Sequence, residues 1–101
     1  MDKKIKENIK DYYDIDIKDE GKIITFIINK ADNILGYANK DHIRITVKRG
    51  TDKKYGFPRC IIIHIPIGKD LNYKINRYGV LSINILNTKI KYVDMDMIIL
   101  E

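Results

Sequence analysis

Residues 42–48 read HIRITVK, so in an extended chain Ile43, Ile45 and Val47 fall on one side and His42, Arg44, Thr46 and Lys48 on the other. A period of two cannot lie along one face of a helix. It dictates a strand with one dry face and one wet, basic face. The same apolar, β-branched character recurs at 22–29 (KIITFIIN), 59–67 (RCIIIHIPI), 71–76 (LNYKIN), 80–86 (VLSINIL) and 89–99 (KIKYVDMDMII). Pro66 has no amide hydrogen to give a ladder, which places its run's end at an edge or a bulge. Arg77, Tyr78 and Gly79 separate two runs as a three-residue hairpin loop whose last residue is left-handed. In the last run, Val93, Met95, Met97 and Ile99 are expected on one face, and Tyr92, Asp94 and Asp96 on the other.

Only the beginning of the chain departs from this pattern. Ile5, Ile9 and Tyr12 or Tyr13 recur at helical spacing, with Lys3, Lys4, Lys6, Glu7 and Lys10 left for water. The period fails in residues 14–20, and Gly21 marks the break. Residues 30–40 fit either one helical turn after Asp32 or a loop containing Gly36. No second segment is long enough to cross over between parallel strands, so βαβ units are not expected. The expected fold class is α+β: a short N-terminal helix, then an antiparallel meander of about six strands, forming a curved sheet or a small barrel. At 101 residues the chain suits a single domain, 1–101. Within it, 1–20 forms the helix and an acidic segment, and 21–101 the β-rich body.

No run approaches the roughly 20 apolar residues of a membrane-spanning helix. The basic opening MDKKIKENIKDYYD has no apolar stretch of the kind a signal peptide needs. Cys60 is the one cysteine, which leaves no internal disulfide and no cysteine-based zinc cage. A cytoplasmic protein without membrane contact is the expectation. Ile, Lys, Asn and Tyr supply 52 of the 101 residues, all with AT-rich codons, so part of the lysine excess reflects composition drift. In size and composition the chain resembles small accessory proteins of low-GC bacteria, their phages and mobile elements. The distribution of charge is more informative than its total of +5: residues 1–10 carry +2, 11–20 carry −4, 21–91 carry +10 and 92–101 carry −3. A basic body of this kind attracts polyanions.

The strongest candidate site is the connection 48–59. It holds five cations (Lys48, Arg49, Lys53, Lys54 and Arg59), one acid, and the aromatics Tyr55 and Phe57. Cations neutralise phosphates, and exposed aromatics stack on unpaired bases. Arg44 on the outer face of the preceding strand extends the patch. The competing reading is a solvated hairpin tip with Phe57 folded back on the core. The acids of 11–20 lack calcium-loop spacing and read as a solvated helix end or an edge strand, with masking of the basic face an open alternative. Asp94 and Asp96 read as a solvent-facing strand edge, His64 as a histidine at the rim of the core, His42 as exposed, and Cys60 as a buried thiol. No residue set assigns a metal or a cofactor.

Three readings of function follow. The first is a small, non-catalytic basic binding module that engages nucleic acid or a nucleoprotein complex through Arg44, Lys48, Arg49, Lys53, Lys54, Tyr55, Phe57 and Arg59. A phage-encoded inhibitor of a host defence system is one example of that class. The second is a protein–protein or homo-oligomeric module working through a Tyr- and Ile-rich sheet, since unprotected Ile-rich edges invite pairing. The third is a small ribonuclease of the toxin type, for which the spacing alone offers no acid–base pair.

Overall fold

A computed structural model describes residues 3–30, 34–51 and 58–101. The helix α1 spans Lys3–Tyr13 and is followed by nine strands: β1 (Ile15–Asp19), β2 (Ile23–Ile28), β3 (Ile34–Ala38), β4 (His42–Thr51), β5 (Pro58–Pro66), β6 (Leu71–Ile75), β7 (Leu81–Leu86), β8 (Ile90–Val93) and β9 (Met97–Leu100). They form a four-stranded sheet, β1-β2-β7-β6, and a five-stranded sheet, β3-β4-β5-β9-β8. Ile15, Ile17, Ile24, Phe26, Ile28, Ile83 and Ile85 of the first sheet share one buried cluster with Ile45, Val47, Ile61, Ile63, Ile65 and Ile98 of the second. The two sheets are therefore packed face to face through alternate residues. Each fully buried isoleucine contributes about 1.5–3 kcal/mol of transfer free energy.

The α+β class with its N-terminal helix agrees with the sequence; the meander of about six strands is an approximation to it, and no barrel closes. Two sheets form, neither closed, and there are more strands than the six runs suggest. The acidic segment supplies the edge strand β1, where Ile15 and Ile17 alternate with Asp16 and Lys18. Residues 34–38 form β3 rather than a helical turn. The run 89–99 breaks into the hairpin β8–β9, because the Asp94 carboxylate accepts the backbone N–H groups of Asp96 (2.7 Å) and Met97 (2.8 Å) and folds the chain back. Val93 and Ile98 then face the core together, while Tyr92 pairs with Ile99 on the other side. β2 pairs with β7, and β5 runs parallel to β9, so chain neighbours are not always sheet neighbours. The β6–β7 loop matches expectation: Gly79 has φ +77°, and the Asn76 side chain accepts from the N–H groups of Tyr78 and Val80.

The helix joins the shared core. Ile9 and Tyr13 are buried, and Ile5 packs against the same cluster. Tyr13 ends the helix with its hydroxyl 2.7 Å from the Met95 carbonyl and 3.2 Å from that of Cys60, so it ties α1 to β5 and to the β8–β9 turn. Asp14 then reverses the chain at φ +58°, a left-handed conformation that Asp tolerates better than most residues. Its carboxylate accepts from Lys10 Nζ (3.0 Å) and Asn29 Nδ2 (3.1 Å). The Lys10 hydrogen bond holds the Asp14 carboxyl below its ordinary range.

Removing the Tyr13 hydroxyl leaves two carbonyls short of a donor in a part-buried site. Tyr13→Phe is expected to cost about 1–3 kcal/mol, measured as a shift in urea midpoint without a change in slope. An unshifted midpoint would show that the hydroxyl contributes nothing to anchoring the helix.

Candidate nucleic-acid interface

Since α1 is committed to the core and all nine strands belong to the two sheets, no helix or strand among the described residues lies over the outer face of the five-stranded sheet. The register sets what it presents. Ile43, Ile45 and Val47 of β4 point inward, which turns His42, Arg44, Thr46 and Lys48 outward as the alternation requires. Tyr37 of β3 pairs with Arg44, Arg44 pairs with His64 of β5, and His64 pairs with Ile99 of β9. One row across the sheet thus reads Tyr37, Arg44, His64, Ile99. Directly opposed residues on one face have Cβ atoms about 4.5–5.5 Å apart, close enough for their side chains to meet.

They do meet. The Arg44 guanidinium lies over the Tyr37 ring, 5.1 Å from its centre, in a cation–π contact. The imidazoles of His42 and His64 have centroids 5.5 Å apart and planes tilted by 51°. Partial burial, followed by the nearby His42 and Arg44, holds the His64 imidazole below its ordinary value of 6.5. Lys48 is exposed at the far end of the same β4 face. No carboxylate occupies an outward position of β3, β4, β5 or β9 among the described residues. The outer face of the other sheet is mixed, carrying Asp16, Lys18, Thr25, Asn84 and Lys74.

Arg49 and Arg59 are placed differently from the rest of the patch. They pair with each other across β4 and β5, and both continue the inward parity of the isoleucines. At this end of the sandwich that parity meets the helix terminus instead of solvent. Arg49 Nε donates to the Tyr13 carbonyl (2.7 Å) and Nη1 to the Lys30 and Lys48 carbonyls (both 3.2 Å). A cation is well placed at a helix C-terminus, where unpaired carbonyls gather. Arg59 lies 5.2 Å from the Tyr12 ring and 3.5 Å from an Asp96 carboxylate oxygen. The parity signal was present in the sequence, since Arg49 falls two residues after Val47. Lys53, Lys54, Tyr55 and Phe57 lie outside the described residues.

Other expectations are resolved by position. His64 stands on the outer face and not at the rim of the core, and Cys60 is half-buried at an outward position opposite Lys48. Asp94 is occupied as a turn former that also accepts from the Tyr92 hydroxyl (2.7 Å). Asp14 and Asp16 are bound by Lys10, and β1 belongs to the other sheet; Tyr12 and Tyr13 of the same segment meet Arg59 and Arg49, whereas the β1 acids do not lie in the sheet that carries Arg44 and Lys48.

A second surface lies at the side of the sandwich where β3 and β6 are both edge strands. Leu71, Tyr73 and Ile75 of β6 have inward parity, yet Tyr73 is 71% exposed and Ile75 59%. The sheets gape here over an apolar cleft of about 240 Å³ bounded by Ile34, Gly36, Ile45 and Ile83 as well. No protein-family model matches the sequence, and no curated protein and no solved structure matches the chain.

Two outcomes are expected from this geometry. Arg49→Ala should destabilise the fold by about 1–3 kcal/mol, as a lost charged donor to carbonyls does, whereas Lys48→Ala should stay within about 0.5 kcal/mol; equal effects would show that Arg49 does not anchor the helix end. Because the His64 value is depressed in the folded state, the unfolded chain binds more protons just below pH 6.5. Stability is therefore full above that pH and declines as pH falls through the lower folded value. His64→Gln should flatten this part of a stability–pH curve.

Proposed function

We propose that this protein binds single-stranded nucleic acid, free or within a nucleoprotein complex, across the outer face of its five-stranded sheet. The observation that carries the reading is the Arg44 guanidinium over the Tyr37 ring near the β3 edge of an outer face that also bears Lys48, His42 and His64 and that no described helix or strand covers. An open sheet of this kind suits unpaired strands, whose bases stack on aromatic and guanidinium planes while cations meet the phosphates. Lys53, Lys54, Tyr55 and Phe57 belong to the connection between β4 and β5 at the Lys48 end, and they keep their sequence-based role as an extension of the patch. Arg49 and Arg59 act in this reading as supports of the helix end.

The test is fluorescence anisotropy with short single- and double-stranded DNA and RNA between about 50 and 200 mM salt. Single strands should bind more tightly, with a steep salt dependence. Arg44→Ala and Lys48→Ala should each weaken binding and reduce the salt slope by about 1, while Arg59→Ala leaves both unchanged. No binding at low salt, or variants indistinguishable from wild type, would defeat the reading.

The cleft between β3 and β6 favours a second reading, a protein–protein or homo-oligomeric module. Tyr73 and Ile75 are more than half exposed in its lining, and Leu35 and Tyr37, on the outer side of the edge strand β3, are as well. Two unpaired strand edges beside apolar side chains favour strand addition. A mass above the monomer at tens of micromolar, lowered by Tyr73→Lys, would support it.

A further inference from the structure

Building on the nucleic-acid reading of the same face, we propose that the protein cleaves single-stranded RNA, with His42 and His64 as an acid–base couple and Arg44 as the group that holds the phosphate. His42 and Arg44 alternate along β4, and His64 stands across the ladder from Arg44, so all three heads rise from adjacent rows of a rigid sheet. The two imidazoles are 5.5 Å apart between centroids, and each carries its nitrogens at the rim of the ring. One phosphodiester laid on the face is therefore within reach of both. The cation–π contact with the Tyr37 ring, 5.1 Å away, favours one placement of the Arg44 guanidinium. A preorganised cation at that point stabilises the charge that builds on phosphoryl oxygens.

The reaction is a transesterification. His64 takes the proton from a ribose 2′-hydroxyl, and the freed oxygen attacks the adjacent phosphorus. The 2′-O–P bond forms as the P–5′-O bond breaks, and His42, in the role of the acid, gives a proton to the departing 5′-oxygen. One proton is accepted and one donated, so the step balances without a co-reactant. It leaves a 2′,3′-cyclic phosphate and a 5′-hydroxyl. Burial and the charge of Arg44 favour the neutral form of His64, the form a base needs. DNA has no 2′-hydroxyl, so it can bind the face and never react.

The experiment incubates the purified protein with a short labelled single-stranded RNA in EDTA, beside a DNA strand of the same sequence, and measures binding of both by anisotropy. The wild type should shorten the RNA to 2′,3′-cyclic phosphate ends and leave the DNA bound and intact. His42→Ala and His64→Ala, purified in parallel, should each slow cleavage by about a hundredfold or more, read as the single-turnover rate with protein in saturating excess so that any loss of affinity is separated from loss of chemistry. His64→Gln serves the same purpose should the alanine variant not fold. RNA bound but uncut by the wild type overturns the cleavage proposal and leaves the binding reading standing. Cleavage undiminished in the histidine variants also overturns it, since the activity then comes from elsewhere. RNA and DNA both unbound overturns both.

Discussion

Alternate isoleucines from two sheets meet in one core, and nearly every other feature of the molecule follows from that contact. A strand can bury only every second residue. Once Ile43, Ile45 and Val47 are committed inward, the partners of β4 in both directions are committed as well. A slip of one residue would expose that whole set, so the register is held strongly. The outward set is then equally determined: Tyr37, His42, Arg44, Lys48 and His64 come to one face as a consequence of burying their neighbours.

The ends of the sandwich need a different solution, because inward-facing positions continue past the point where the opposite sheet stops. Here the helix supplies the cover. Ile9 and Tyr13 close the gap, and the Tyr13 hydroxyl reaches the Met95 and Cys60 carbonyls. Arg49 satisfies the Tyr13 carbonyl where the helix stops. Two arginines that charge alone would assign to a ligand are instead placed at this closure by the parity of their strands. At the β3–β6 side no such closure exists, and Tyr73 and Ile75 stay exposed although their strand turns them inward.

The strands with strong alternation were legible in the sequence, as were the helix and the glycine turn at residue 79. The acidic strand β1 was harder to see because Asp16, Lys18 and Asp19 dominate a segment whose two buried isoleucines hold it in the sheet. β8 and β9 were hidden in one apparent run because the turn between them is made by the Asp94 side chain without glycine or proline. Of the basic patch, Arg44 and Lys48 could be placed on the outer face from spacing alone. The ring contact between His42 and His64, 22 residues apart in the chain, could not.

The sequence by itself determined which side chains of each strand are dry and which are wet, because that property depends only on a two-residue period along the chain. Only the tertiary structure decided which strands lie side by side, and hence that Tyr37, Arg44, His42 and His64 form one cluster. Adjacency in a sheet is set by hydrogen bonding between segments distant in sequence. The parallel pair β5–β9 shows it plainly: the chain builds β6 and β7 into the opposite sheet before β9 returns beside β5. Local periodicity carries no record of that return, whereas the shared core requires it.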